Sequence, residues 1–421
     1  MADLIFKFAD SYAKIYNRLP RLAIEYDSKT RRYIAISNIK KLLGSIFNCL
    51  VIMWLFTEGP KLLQFFYLVH RSVELGHFPT MLEEPFASPT QLLSIAIITI
   101  TSGAAPILAG IAYLFNTDIV KFLNELLNLE DDLVQRGLER EEIKRTKKFK
   151  GKLSPTSKLF MELVQLIPFF VLYMAPALVV FGMYNNLDPF HFIFYWSPKY
   201  RRENVIIRMS INICSFVVLT LAAIFDGQIL LGMGMLFAMA AWILLRIVCL
   251  IETDYTERRV WMRSGRERRA IIILYNRILL LLVGLAPPQS TITLFAVVGC
   301  AIVIVVLNIM SITMYATLPF NVYMMGPTFS IGLVLILNAI LKSVSYYEIL
   351  SKEMLHRWKN DARLVAWGIL KEHGRRVVAM RPILVYIGVW RTNLLQINIE
   401  LLCRWNAAIV DATITVLLTN T

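Results

Sequence analysis

The sequence predicts an all-α membrane protein of seven transmembrane helices, and two observations predict it. Charge is missing from long runs, and the basic residues stand in blocks between them. Of 421 residues, 57% are hydrophobic and 18% charged, and the mean hydropathy is +0.58. Residues 278–341 contain no Asp, Glu, Lys or Arg, and neither do 163–187 or 85–117. A helix that faces water carries charge on that face, so uncharged runs of this length belong in lipid. The net charge of +14 comes from Lys and Arg clusters flanking apolar segments, the pattern of cytoplasmic loops rather than of a nucleic-acid surface. No nucleic-acid partner is expected.

The first 41 residues carry nine Lys or Arg and no apolar stretch of signal-peptide length, so the N-terminus is expected in the cytoplasm. Roughly 17–25 apolar residues cross the hydrocarbon core. The clear spans are about 42–57, 92–115 and 163–183. Between the last two, 116–158 holds ten basic and eight acidic residues, with an amphipathic stretch at Ile119, Phe122, Leu123, Leu126 and Leu127. That loop belongs inside. The loop 58–90 has two basic and four acidic residues and is expected outside.

Parity settles the middle of the chain. Residues 205–250 are long enough for two crossings, but 251–271 carries six arginines and must be cytoplasmic. A single crossing fits, so one long helix is expected, spanning about 205–235 and running on into the cytoplasm; its length is roughly 70 Å at 1.5 Å per residue. The stretch 272–341 offers three apolar pieces, near 272–286, 291–316 and 328–341, and 342–396 beyond it has ten basic against four acidic residues. Two pieces therefore cross, as spans 291–316 and 326–345. Pro287 and Pro288 separate the first piece, which reads as a cytoplasmic or interfacial helix leading into the fifth span. A last span, 404–421, puts the C-terminus outside. Cytoplasmic anchor regions are expected at about 236–286 and 346–403.

The last helix is too polar for a lipid-facing anchor, since Glu400, Arg404, Asn406, Asp411, Thr413, Thr415, Thr419 and Asn420 lie within it. Polar groups in a span face protein or a water path. At 100° per residue they form two faces. One holds Asn406, Val410, Thr413, Leu417, Asn420 and Thr421. The other holds Glu400, Arg404, Asp411 and Thr415, with Glu400 and Arg404 spaced for a local ion pair. Two polar faces suit a helix packed between its own subunit and an aqueous pore, or else two hydrogen-bond networks inside the subunit.

The five cysteines lie in or beside apolar segments and are not expected to form a disulfide framework. The five histidines never stand four apart, which removes the intramembrane zinc hydrolases. No metal site, cofactor or enzymatic activity is expected.

Thr413-Ile414, five residues, then Asn420-Thr421 resembles, in degenerate form, the Thr-Tyr, five-residue, Gln-Phe ending of arthropod gustatory receptors. The spacing and the leading Thr match; Ile, Asn and Thr depart from Tyr, Gln and Phe. Seven spans, the inverted orientation, the first cytoplasmic loop NTDIVKFLNELLNLEDDL and the arginine-rich second loop also resemble the insect gustatory and odorant receptor superfamily. The resemblance implies a ligand-gated, nonselective cation channel in the plasma membrane. It implies a homotetramer, or a heteromer with a related subunit, whose last helix lines the pore with Asn406, Val410, Thr413, Leu417, Asn420 and Thr421. The ligand would be a small tastant or odorant bound in the outer half of the helix bundle, where Tyr173, Met174, Tyr184, Trp196, Tyr323 and Phe329 are candidates. A G-protein-coupled receptor is the alternative for seven spans, opposed by the basic N-terminus and by the absence of Asp-Arg-Tyr and Asn-Pro-x-x-Tyr motifs. A membrane transporter is the other, although no internal repeat is visible.

Overall fold

The computed structural model describes residues 2–77, 79–80, 82–84, 87–135, 155–184, 188, 190, 205–258, 265–313, 315, 320–364, 370–389 and 392–419. Helix dominates because backbone in lipid must satisfy its N–H and C=O groups within its own segment. Among the described residues, two short hairpins stand between the helices. The first, β1 (Ile24–Asp27) and β2 (Arg32–Ala35), follows helix α1 (Ala2–Tyr16) and sets Tyr26 opposite Tyr33. Its turn is closed by Asp27, which accepts from the Lys29 N–H at 3.0 Å and the Thr30 hydroxyl at 2.7 Å.

Helix α2 (Ile39–Phe47), a π-helical stretch Asn48–Glu58 and α3 (Gly59–Leu75) then form one continuous 37-residue helix. The expected span 42–57 followed by a loop from 58 is corrected here. Gly59-Pro60 reads as a terminator, yet in the π register the Gly59 N–H bonds the Trp54 carbonyl, and Pro60 sits in the first turn of α3, where proline is tolerated. Glu58, Lys61 and Gln64 turn inward while Leu62, Leu63, Phe65 and Phe66 stay outside.

Helix α4 (Pro89–Leu114) bends by 74° at Phe115 into α5 (Asn116–Gln135). Helix α6 (Pro155–Tyr184) precedes α7 (Val205–Arg258), a single helix of 54 residues. Helix α8 (Gly265–Thr313) continues through Pro287 and Pro288, and hydroxyls of Ser290, Thr291 and Thr293 donate to the Pro287 and Gln289 carbonyls there. After α9 (Phe320–Tyr323) come α10 (Met325–Leu364) and α11 (Leu370–Ala379). The second hairpin, β3 (Tyr386–Val389) and β4 (Thr392–Gln396), leads into α12 (Ile399–Thr419). Among the described residues, six helices are long and apolar enough to cross a membrane, and the bent α4–α5 pair makes a seventh if it counts as one crossing.

The largest core lies at the end of the bundle that carries α1, here the near end. There the last turns of α7 (Met239, Ile243, Ile247, Val248) pack with Leu123 and Leu126 of α5, Tyr275 of α8 and Trp358 of α10. The five apolar residues of the amphipathic stretch in α5 are all buried. Ion pairs stitch the same end: Arg246–Glu130 at 2.5 Å, Arg277–Glu125 at 2.5 Å and Arg357–Glu252 at 2.7 Å.

Candidate functional site

Helix α12 packs on α8 and α10, and three buried side chains one turn apart, Trp405, Ile409 and Thr413, mark the seam; Trp405 and Ile409 cluster with Val297, Ile304, Leu337 and Leu341. The Trp405 indole N–H donates to the Val297 carbonyl at 3.3 Å. Asn406 and Asn338 exchange two amide hydrogen bonds, at 3.0 and 3.3 Å. The Thr413 hydroxyl donates to the Ile409 carbonyl at 2.7 Å. Of the face expected to line a pore, Asn406 and Thr413 therefore lean on their own chain, Leu417 is half-buried, and Val410 is exposed. Asn420 and Thr421 lie outside the described residues.

The opposite face is bare. Glu400, Arg404, Ala407, Asp411, Ile414, Thr415 and Leu418 are all exposed along one side of α12. Glu400 and Arg404 form the spaced ion pair, 2.5 Å long. Asp411 stands two turns further along, inside the membrane-length part of the helix.

The far half of the bundle holds a buried polar nest. Lys61 is 0% exposed, and its ammonium donates to Gln64 at 3.1 Å and Gln91 at 3.3 Å, while the Gln64 amide also donates to Gln91 at 3.1 Å. Asp188 lies beside it, accepting from the Phe190 N–H and the Ser215 hydroxyl, both at 2.8 Å. Burial pushes the Asp188 carboxyl up, against those hydrogen bonds and the Lys61 charge. Deeper in the bundle the Ser102 hydroxyl donates to the buried Asp226 at 3.1 Å, with buried Glu58 close by. Ionisable groups at this depth mark ligand or ion paths in membrane proteins.

The aromatic candidates for the ligand pocket do not converge. Tyr173 and Tyr184 are 73% and 86% exposed, Met174 and Phe329 are also exposed, and Tyr323 stacks edge-on against Tyr315. Tyr184 lines a shallow groove with Met183, Asn212 and Phe216. Trp196 lies outside the described residues.

A cavity of about 210 Å³ instead opens in the near half, between α1, the first hairpin, the π-helical stretch, α4 and α7. Tyr12, Tyr26 and Tyr33 line it. Sequence reading missed this site because those tyrosines lie ahead of the first span, on a helix and a hairpin that no apolar periodicity announces. The nest had a visible signal: Glu58, Lys61 and Gln64 recur three residues apart inside an apolar run.

No protein-family model matches the chain, and no curated protein matches it.

Proposed function

We propose that the chain is a chemosensory receptor of the insect gustatory and odorant type, a ligand-gated nonselective cation channel that assembles as a tetramer in the plasma membrane, its N-terminus in the cytoplasm. One observation carries the reading: α12 turns Arg404, Asp411 and Thr415 away from its own subunit along a membrane-length helix. A lipid-facing carboxylate at the bilayer centre is unfavourable by several kcal/mol, on the order of 3. Symmetric packing of several such helices around an axis covers the stripe with water and with its copies. The pore-lining face is then the one carrying Asp411 and Thr415, with the Asn406 face holding α12 to the subunit. A ring of aspartates selects cations. The polar nest around Lys61 is the better candidate for a polar ligand than the exposed aromatics.

The test is whole-cell current in a heterologous cell while a panel of sugars, bitter compounds and volatiles is applied, with reversal potentials measured for wild type and Asp411→Lys. A ligand-evoked cation current that loses its cation preference in Asp411→Lys supports the reading. A current whose selectivity ignores Asp411, or a monomeric particle in gentle detergent, sinks it.

A transporter is the second reading, favoured by the buried Glu58, Lys61 and Asp226. It predicts uptake of a labelled substrate without measurable channel noise.

A further inference from the structure

The cavity in the near half has an unusual wall. Most of it is aliphatic, from Leu42, Ile46, Ile229 and Met233, yet three tyrosines enter from the N-terminal segment. Tyr12 is already committed, its hydroxyl donating to the Gln228 carbonyl at 2.9 Å. Gly232 lets that ring come close, since a Cβ there would meet the Tyr12 hydroxyl oxygen at 2.6 Å. Tyr26 and Tyr33 are different. Each is 2% exposed, and neither hydroxyl has a partner among the described residues. A buried hydroxyl without a partner is unfavourable, and both oxygens are sealed from water, so an acceptor that reaches them would be favoured.

Their positions are fixed. Tyr33 sits in β2 with its N–H and C=O both bonded to the Asn124 side chain, at 3.0 and 2.8 Å, and its ring packs 5.3 Å from that of Tyr26. Burial pushes the Tyr26 phenol up to about 12 and the Tyr33 phenol further, so both stay neutral donors. The mouth is lined by the exposed Leu50, Trp54 and Tyr113, between the first long helix and α4. Leu50 and Trp54 belong to the π-helical stretch, a geometry that recurs at functional sites. Both residues lie in a helix long enough and apolar enough to cross a membrane, which makes lipid the proposed route of entry.

We propose that this cavity binds a small membrane-soluble molecule of roughly ten heavy atoms, an aryl or branched aliphatic group carrying one hydrogen-bond acceptor. The size follows from comparison with apolar cavities of about 150 Å³, which take benzene. The acceptor answers Tyr26 and Tyr33. The site is separate from the polar nest and from the exposed face of α12, and it holds whether or not the chain conducts ions.

The experiment uses the purified full chain in nanodiscs and in detergent, with 4-fluoroacetophenone and 1-ethyl-4-fluorobenzene as probes and their fluorine NMR signals as readout. The ketone binds wild type up to about tenfold tighter than the hydrocarbon, the ratio of one hydrogen bond. In the Tyr26→Phe/Tyr33→Phe variant the hydrocarbon binds as before and the preference disappears. In Ser45→Leu, which fills the cavity wall, neither probe binds. Equal affinity of the two probes for wild type overturns the proposal, and so does a preference that survives in the double Phe variant. Binding only after delipidation, with a phospholipid chain co-purifying, assigns the cavity to an acyl chain and overturns it too. Should Ser45→Leu fail to fold, the Phe variant decides alone.

Discussion

Asn338 of α10 and Asn406 of α12 exchange amide hydrogen bonds at 3.0 and 3.3 Å, and Asn406 also donates to the Leu402 carbonyl at 3.0 Å. This pair decides which way the last helix faces. An amide in an apolar seam is unfavourable unless matched, so the two asparagines fix both the register and the rotation of α12 against α10. Everything half a turn away, including Asp411, is then directed outward.

Asn406→Ala leaves Asn338 half-buried without its partner. We expect a loss of about 1–2 kcal/mol in unfolding free energy, the lower end being typical of hydrogen bonds between membrane helices. A double-mutant cycle with Asn338→Ala, followed by thermal unfolding in detergent, should show positive coupling. Additive losses would mean that the amides do not recognise each other.

The near end makes a second prediction through charge. Arg246 and Glu130 meet at 2.5 Å with Glu130 largely buried, whereas Arg277 and Glu125 meet at the same distance in the open. Removing Glu130 takes a close, largely buried ion-pair partner from Arg246, so Glu130→Ala should lower stability by about 2 kcal/mol and do so equally in low and high salt. Glu125→Ala should cost well under 1 kcal/mol, and its effect should fade as salt is added. The same loss at both sites would remove the distinction.

How much of this was legible in the sequence depended on what competes with periodicity. The 54-residue α7 was readable because an outer loop at 184–204 and an arginine-rich inner loop at 251–271 leave room for only one crossing. The 37-residue first helix was not, because Glu58, Gly59, Pro60 and Lys61 resemble a loop unless it is known that a buried nest takes the charges and a π register absorbs the proline. The two polar faces of α12 were visible on a helical wheel, but a wheel has no information on which face a neighbour covers. Asn338 supplies that, from 68 residues away. The tyrosine cavity had no local signature, since Tyr26 and Tyr33 are set opposite each other by a hairpin that then packs on α5.

Alkali should expose those tyrosines. Burial raises the Tyr26 phenol to about 12 and the Tyr16 phenol to about 12, above the ordinary value of 10.0. A raised value in the folded state contributes stability that is fully present below the unfolded value and is lost as pH rises through the folded one. The stabilising window therefore closes between roughly pH 10 and pH 12. Ultraviolet titration should show exposed tyrosines ionising first and a cooperative step later, coincident with loss of the near-end core. Tyr26→Phe should shift that step to higher pH. A single smooth titration near pH 10 would show that the near end does not shield its phenols.

The last prediction sets Leu418 against Leu417. They are neighbours near the far end of α12, yet Leu417 is half-buried towards its own subunit and Leu418 is 70% exposed on the stripe that holds Asp411. If copies of α12 surround a pore along that stripe, Leu418 is the last of the described bulky apolar side chains, after Ile414, to meet its symmetry mates beyond Asp411. A ring of leucines that excludes water blocks ions by dewetting. Leu418→Ser should wet the closed pore and give cation current without ligand, at unchanged surface expression. Leu417→Ser should loosen packing against α8 and α10, lowering thermal stability without opening the pore. The reverse result, with ligand-free current from Leu417→Ser and none from Leu418→Ser, would mean that α12 turns its Asn406 face to the pore in the assembly, breaking the Asn338 pair to do so. Silence from both, in well-expressed protein that still responds to ligand, would place the gate on another helix.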